Sequence, residues 1–491
     1  MTTKRNRDGD RRRADAPGPA IRRAFAATIS ATALVSLAAT ILPATTPAGA
    51  TQTPRMLALI GATLIDASAA GHGSADIARS IVLIRDGRIV AAGDAAHVRI
   101  PRAARRVRLD GRYLIPGLID GFGAMRTPGF AQAYLREGVT TVYVPLASPD
   151  GNVDGETKMV AAPAGPSVLT GVAIGGYDVS GKAVAAHQWV AHRLNDQRLD
   201  AAALVAAVER AAAAGRHGIT IGPDVWPDQT EAIAAAAHRL GLFVAAEPVF
   251  TPYDDAVRAG VDVLLRNDKY QLSLAAAADW QAYRDDPTGG GGRDAMRAIC
   301  GKEDIAASIT AFGARLAAST TALMPVLVME ATADDIGGPN PWTLPGARYV
   351  TKADLDDPVD PVTGARPYLT SHPDRAEAIR ACARSKAAND GRLHRAGARY
   401  LAGTLTPGFG VMPGSGLHVE LRLLQKIGLS PREALAAATG NYATLPGWRD
   451  RGLIATGRRA DLVVLRADPR RDIAAIDTID RVMIGGRFAP R

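Results

Sequence analysis

The chain has 491 residues, of which 47% are hydrophobic and 22% charged. That balance excludes both a disordered chain and a multi-pass membrane protein. Of the formal net charge of +9, five charges come from residues 1–50, where eight Lys and Arg face only Asp8, Asp10 and Asp15. The remainder carries too small a surplus to imply a polyanion, so no nucleic-acid partner is expected.

The chain opens with a basic stretch that ends at Arg22-Arg23-Ala24-Phe25. An Ala-rich apolar run follows to Leu42, and Ala48-Gly49-Ala50 is a small-x-small cleavage site. This three-part layout reads as an export signal over residues 1–50, and its Arg-Arg-x-Phe start looks like a twin-arginine signal. The mature protein is therefore expected outside the cytoplasm, periplasmic or extracellular. No later apolar run is long enough to span a bilayer, so no membrane span is expected after cleavage. Export implies an oxidising compartment, in which Cys300 and Cys382 either form one disulfide or remain two buried thiols.

Residues 56–113 alternate apolar and polar side chains, with Asp-Gly turns at Asp86-Gly87 and Asp110-Gly111, and read as a small β-module. From 114 the pattern becomes strand then helix. Strands are expected near 114–119, 139–144, 167–172, 218–222, 242–247, 261–266, 321–329 and 398–404. Asp228 is expected to cap a helix that runs through Arg239, and Asp374–Ala396 reads as a helix stopped by Gly397. Residues 281–303 read as a mobile excursion. Residues 331–373 hold seven prolines and many aspartates, placed where barrel loops build or cover an active face. Helices over 417–427 and 431–442 follow, and strands return in RRADLVVLRADP and IDRVMIGGRF. Eight strands alternating with helices predict an α/β fold, a distorted (β/α)8 TIM barrel over 114–443, with a β-sandwich made by 56–113 and 444–491. An open doubly wound sheet fits less well, because no Gly-rich phosphate loop follows the first strand.

YLIPGLIDG (113–121), AYLREGVTTVYV (133–144), AAAHRLGLFVAA (235–246), GLHVELRLLQKIGLSPREALAAATGNYA (416–443) and RGLIATGRRADLVVL (451–465) resemble the amidohydrolase superfamily. The branch most resembled is that of imidazolonepropionase and Xaa-Pro dipeptidase-like enzymes. The resemblance implies a hydrolase acting on C–N bonds, with one or two divalent metals at the C-terminal mouth of the barrel. It also implies a ligand set: Asp-x-His-x-His after strand one, a Lys after strand four, a His after strands five and six, and an Asp after strand eight. At these places the chain has Asp120-Gly121-Phe122-Gly123-Ala124, Gly222, Glu247, Arg266 and Leu405. Among the replaced ligands only Glu247 could still ligate, and one carboxylate falls short of the roughly three protein ligands usual at a catalytic zinc.

The sequence therefore predicts an amidohydrolase scaffold without its metal, with no cofactor and no assigned catalytic residue. Its expected role is non-catalytic binding or scaffolding in the cell envelope. Glu247, Arg266, His418, Glu420 and Tyr177 are the candidate lining of a mouth that would take a small molecule or peptide. Glu247 and Arg266 are expected to form an ion pair where two histidines would hold a cation. The alternative is an active hydrolase using another metal or water site, for which Asp120, Asp178, Asp224, Glu247, Asp268, Asp334 and Asp335 are candidates. The sequence does not specify an oligomeric state.

Overall fold

The computed structural model describes residues 56–147, 165–175, 200–223, 225–285, 290–300 and 305–490. The expected export signal, Tyr177, Asp178 and Asp224 lie outside the described residues. The chain enters through β1 (Leu57–Ile60), β2 (Thr63–Leu64), β3 (Ser80–Arg85), β4 (Arg88–Asp94), β5 (Arg105–Arg108) and β6 (Tyr113–Pro116). Barrel strands follow: β7 (Leu118–Asp120), β8 (Val139–Ala147), β9 (Ser167–Ile174), β10 (Gly218–Ile221), β11 (Phe243–Ala246), β12 (Val263–Leu265), β13 (Ala322–Met324) and β14 (Arg399–Tyr400). The C-terminal end supplies β15 (Leu462–Leu465), β16 (Ile479–Ile484) and β17 (Arg487–Phe488).

The eight strands β7 to β14 form one sheet in sequence order, every neighbouring pair parallel. Gly121 N–H donates to Ala402 O (3.2 Å) and Leu405 N–H to Phe122 O (2.6 Å), which joins the last strand to the first. This is a distorted TIM barrel. Side chains alternate as a barrel requires. Phe243, Ala245, Val263 and Leu265 point into the lumen, while Val244, Ala246 and Leu264 pack under the helices. At the N-terminal ends of the strands Trp448 closes the lumen. Its ring lies 5.8 Å from Tyr143, 5.4 Å from Phe243 and 5.0 Å from Tyr442 between centroids.

Both chain ends build the second module. One sheet runs β4-β3-β1-β5, the other β17-β16-β15-β6-β2. Their inner faces share one core, in which Leu57, Leu59, Val82 and Ile84 meet Leu114, Leu462, Val464 and Met483. The single strand expected over 114–119 is in fact two. Tyr113–Pro116 pairs with β15 and β2, and only Leu118–Asp120 enters the barrel. Gly117 is the pivot. Its N–H donates to Asp461 O (2.8 Å), and a Cβ there would sit 2.1 Å from Thr140 Oγ1, so only glycine fits.

Other boundaries shift for local reasons. The strand expected over 321–329 stops at Met324. Val326 turns in the left-handed region (φ 57°), and Leu327–Ala333 is a helix. Pro227–Arg239 is capped at Trp226, whose N–H is received by Gln229 Oε1 (2.9 Å), so Asp228 lies within the first turn. The helix expected from Asp374 spans Ala376–Arg395 and stops before Gly397 (φ 100°). The two C-terminal barrel helices run Ser415–Lys426 and Pro431–Ala437. The expected excursion over 281–303 instead contains helical residues, Ala277–Asp285 and Gly290–Cys300. Cys300 is disulfide-bonded to Cys382, with a Cα separation of 4.9 Å, so Gly290–Cys300 is bonded to Ala376–Arg395.

Candidate functional site at the barrel mouth

The C-terminal ends of the strands form two unlike halves. Around β7, β13 and β14 the mouth is apolar. Phe122, Met324, Val326 and Met329 are buried there, with Leu405 and Phe409 packed against them. A Cβ on Gly403 would lie 2.5 Å from Met324 Sδ and 3.0 Å from Phe122 Cβ. The thioether therefore rests directly on the backbone of the eighth strand. Arg126 makes a bidentate contact with Asp356 (2.7 Å for both N–O pairs), and Gly410 N–H donates to Asp356 O (2.8 Å). The proline-rich 331–373 segment is thereby tied across the ends of strands one and eight, over this apolar half.

Asp120 survives from the family pattern but is fully engaged. It accepts from Thr404 Oγ1 (2.7 Å), Thr404 N (3.1 Å) and Phe122 N (3.2 Å). Burial pushes its carboxyl up to about 6 against the opposing effect of those bonds. It thus clips strand one to strand eight.

Around β11 and β12 the mouth is charged. Arg266 Nε lies 3.1 Å from Glu247 Oε1, the expected pair. The same guanidinium donates to Asp268 Oδ2 (3.3 Å), and Lys269 Nζ donates to Tyr283 OH (3.1 Å) while standing 3.7 Å from Asp268. Burial works against ionising Asp268, but the Arg266 and Lys269 charges outweigh it and hold the carboxyl well below the usual range. The Tyr253 hydroxyl is raised first by burial, then by Tyr283, Glu247 and Asp268, and has no hydrogen-bond partner among the described residues. Arg266 (φ 59°), Val326 (φ 57°) and Leu405 (φ 58°) follow strands six, seven and eight in the left-handed region. Non-glycine residues adopt it at a cost of about 1–3 kcal/mol each, so the surrounding packing must hold this rim in place.

Behind the charged half lies a buried polar network that the sequence reading missed. Asp390 accepts from Asn267 (3.2 Å), Gln271 (3.1 Å), Tyr400 OH (3.1 Å) and Tyr270 OH. Lys386 pairs with Glu330, which also accepts from Asn267 (3.1 Å). Burial lifts Asp390 and Asp334 each to about 7. One signal was available: Lys386, Asn389 and Asp390 recur at helical spacing in Ala376–Arg395, a stripe of polar residues aimed inward.

His418 and Glu420 do not join the mouth pair. His418 Nδ1 meets Asp477 Oδ1 (2.8 Å) and its Nε2 meets Glu137 O (2.8 Å), beside a separate cavity between the barrel and the last strands. Glu420 accepts the Val328 N–H (2.7 Å) and caps the Leu327–Ala333 helix. Both residues hold elements together.

The residues present do not fit the metal that the family pattern implies. Phe122, Ala124, Gly222 and Leu405 bring no side-chain donor, Asp120 is occupied by Thr404, and Glu247 faces a guanidinium. Among the described residues no group of three or more His, Cys, Asp or Glu is arranged to hold a metal ion.

Residues 384–489 match the amidohydrolase family model. Over 84 residues the chain is 44% identical to imidazolonepropionase from Deinococcus deserti, a stretch covering 17% of this chain and 21% of that protein. The match thus spans about a fifth of that relative's length. Among solved structures, A. niger ochratoxinase superposes with a TM-score of 0.58 at 16% identity, covering 89% of this chain and 96% of that one. Bottromycin amidohydrolase gives 0.58 at 21% identity, covering 89% and 87%. The fold is the barrel-and-sandwich fold of these structures. The C-terminal sequence is thus similar to the amidohydrolase family, and the described chain shares the fold of these solved structures.

Proposed function

We propose that this chain is an exported amidohydrolase-fold protein that binds a small molecule or peptide at the barrel mouth and carries out no metal-dependent hydrolysis. The carrying observation is the mouth itself. Phe122, Met324 and Leu405 occupy the half where ligands would converge, and a Glu247–Arg266 pair replaces two imidazoles. A guanidinium balances buried carboxylates without a metal and repels a divalent cation. The unpartnered Tyr253 hydroxyl beside this pair supports binding of a polar ligand. Export is supported by the layout of residues 1–50 and by the Cys300–Cys382 bond, since disulfides persist mainly in oxidising compartments. The test is elemental analysis of the mature protein before and after incubation with zinc, joined to a hydrolysis screen on dipeptides, cyclic amides and lactones. The expected result is metal far below one ion per chain and no zinc-dependent turnover; stoichiometric zinc with turnover overturns the proposal.

A second reading, a hydrolase using acid–base groups in place of the lost ligands, is favoured by Asp334. Its carboxyl is lifted to about 7 by burial and by Glu330, in reach of the Lys386 charge, and so exchanges a proton near neutral pH. Turnover in the same screen that is indifferent to chelators and abolished by Asp334→Asn would select this reading.

A further inference from the structure

A groove of about 380 Å³ lies where the Ala376–Arg395 and Ser415–Lys426 helices meet. Leu327, Leu423 and Ile427 make its floor, and Arg384, Arg392, Arg395 and Lys426 line it; no acidic side chain does among the described residues. Gly391 closes one wall, because a Cβ there would sit 2.5 Å from Ile427 O, and its absence lets the two helices converge. Arg384 is answered by Glu377 (2.6 Å), outside the groove, and Arg392 bonds the neutral Asn389 (2.7 Å). Arg395 and Lys426 have no ion-pair partner among the described residues.

Arg392, Arg395 and Lys426 stand in the last turns of their helices, where cations complement the helix dipole. Each helix end offers roughly half a negative charge, so two ends answer about one of these three cations. The surplus surrounds an apolar floor, and the volume lies within the range of small-molecule pockets. We infer that this groove is a binding site for a single-chain anionic amphiphile, its apolar tail on Leu423 and Ile427 and its anionic head among Arg392, Arg395 and Lys426.

The test is calorimetric titration of the mature protein with decanoate, and with decyltrimethylammonium as the cationic counterpart. Decanoate should bind one per chain, weaken as salt rises, and lose about tenfold in affinity in the exposed double variant Arg395→Glu/Lys426→Glu, whose circular dichroism should match the parent. Equal binding of both amphiphiles, no decanoate binding, or an unchanged affinity in the variant would overturn the inference. Co-sedimentation with phosphatidylglycerol vesicles without binding of free decanoate would overturn it too, in favour of a membrane surface. The floor is tested separately through Ile427→Asn, a half-buried position at a helix end. That change should weaken decanoate without altering the salt dependence, and undiminished affinity would remove the apolar seat from the inference.

Discussion

Glu247 and Arg266 end adjacent strands, and their pairing was legible because strand ends on one barrel rim must face one another. His418 and Glu420 show where sequence reasoning went astray. Two residues apart on a helix, they point to different sides and cannot both line one mouth. One faces Glu137 and Asp477, the other Val328. The double variant Glu247→His/Arg266→His should gain no zinc-dependent turnover, since positions 122, 124, 222 and 405 still bring no donors; a hydrolysis assay with added zinc checks this. Asp390 gives a pH prediction. Its carboxyl is lifted by burial to about 7 from an unfolded value near 3.8. The stability it contributes is complete below about pH 4, falls as pH rises towards 7, and levels off above. Urea midpoints at pH 5 and pH 8 should differ less for Asp390→Asn than for the parent, because the amide does not titrate.

At the scale of elements, the strand–helix alternation was readable from hydrophobic periodicity, while the short strands were not. β13 ends after three residues because Val326 turns in the left-handed region, a conformation no β-branched residue advertises. The lumen plug was equally hidden, since Trp448 lies in a turn-rich stretch without periodicity. It is fully buried among Tyr143, Phe243 and Tyr442. Trp448→Ala should cost about 3–5 kcal/mol, read as a lower denaturant midpoint. The disulfide joins two helices across 82 residues of sequence. Replacing both cysteines by serine should lower stability by about 2–4 kcal/mol, measured by the same denaturation without reductant.

For the whole molecule, the barrel and the two-ended β-module were visible because the apolar–polar alternation of the N-terminal strands stops near 113 and returns in RRADLVVLRADP and IDRVMIGGRF near the C-terminus. The charged interior behind the mouth was not, because its members are spread from Asn267 to Tyr400 and meet only on folding. Under the proposed export, mass spectrometry of the protein recovered outside the cytoplasm should find a mature chain beginning at Thr51, after the Ala48-Gly49-Ala50 site; an intact segment 1–50 would contradict it.

Gly117 separates a strand of one module from a strand of the other by a single residue. With so little slack, the two cannot come apart by local opening. Amide protons on either side, at Ile115 and Ile119, should therefore exchange with solvent through the same opening event, and calorimetry should record one heat-absorption peak for both modules. A barrel excised from residue 118 onward would lose β6 and β2 together and leave β15 with an open edge where β6 had paired.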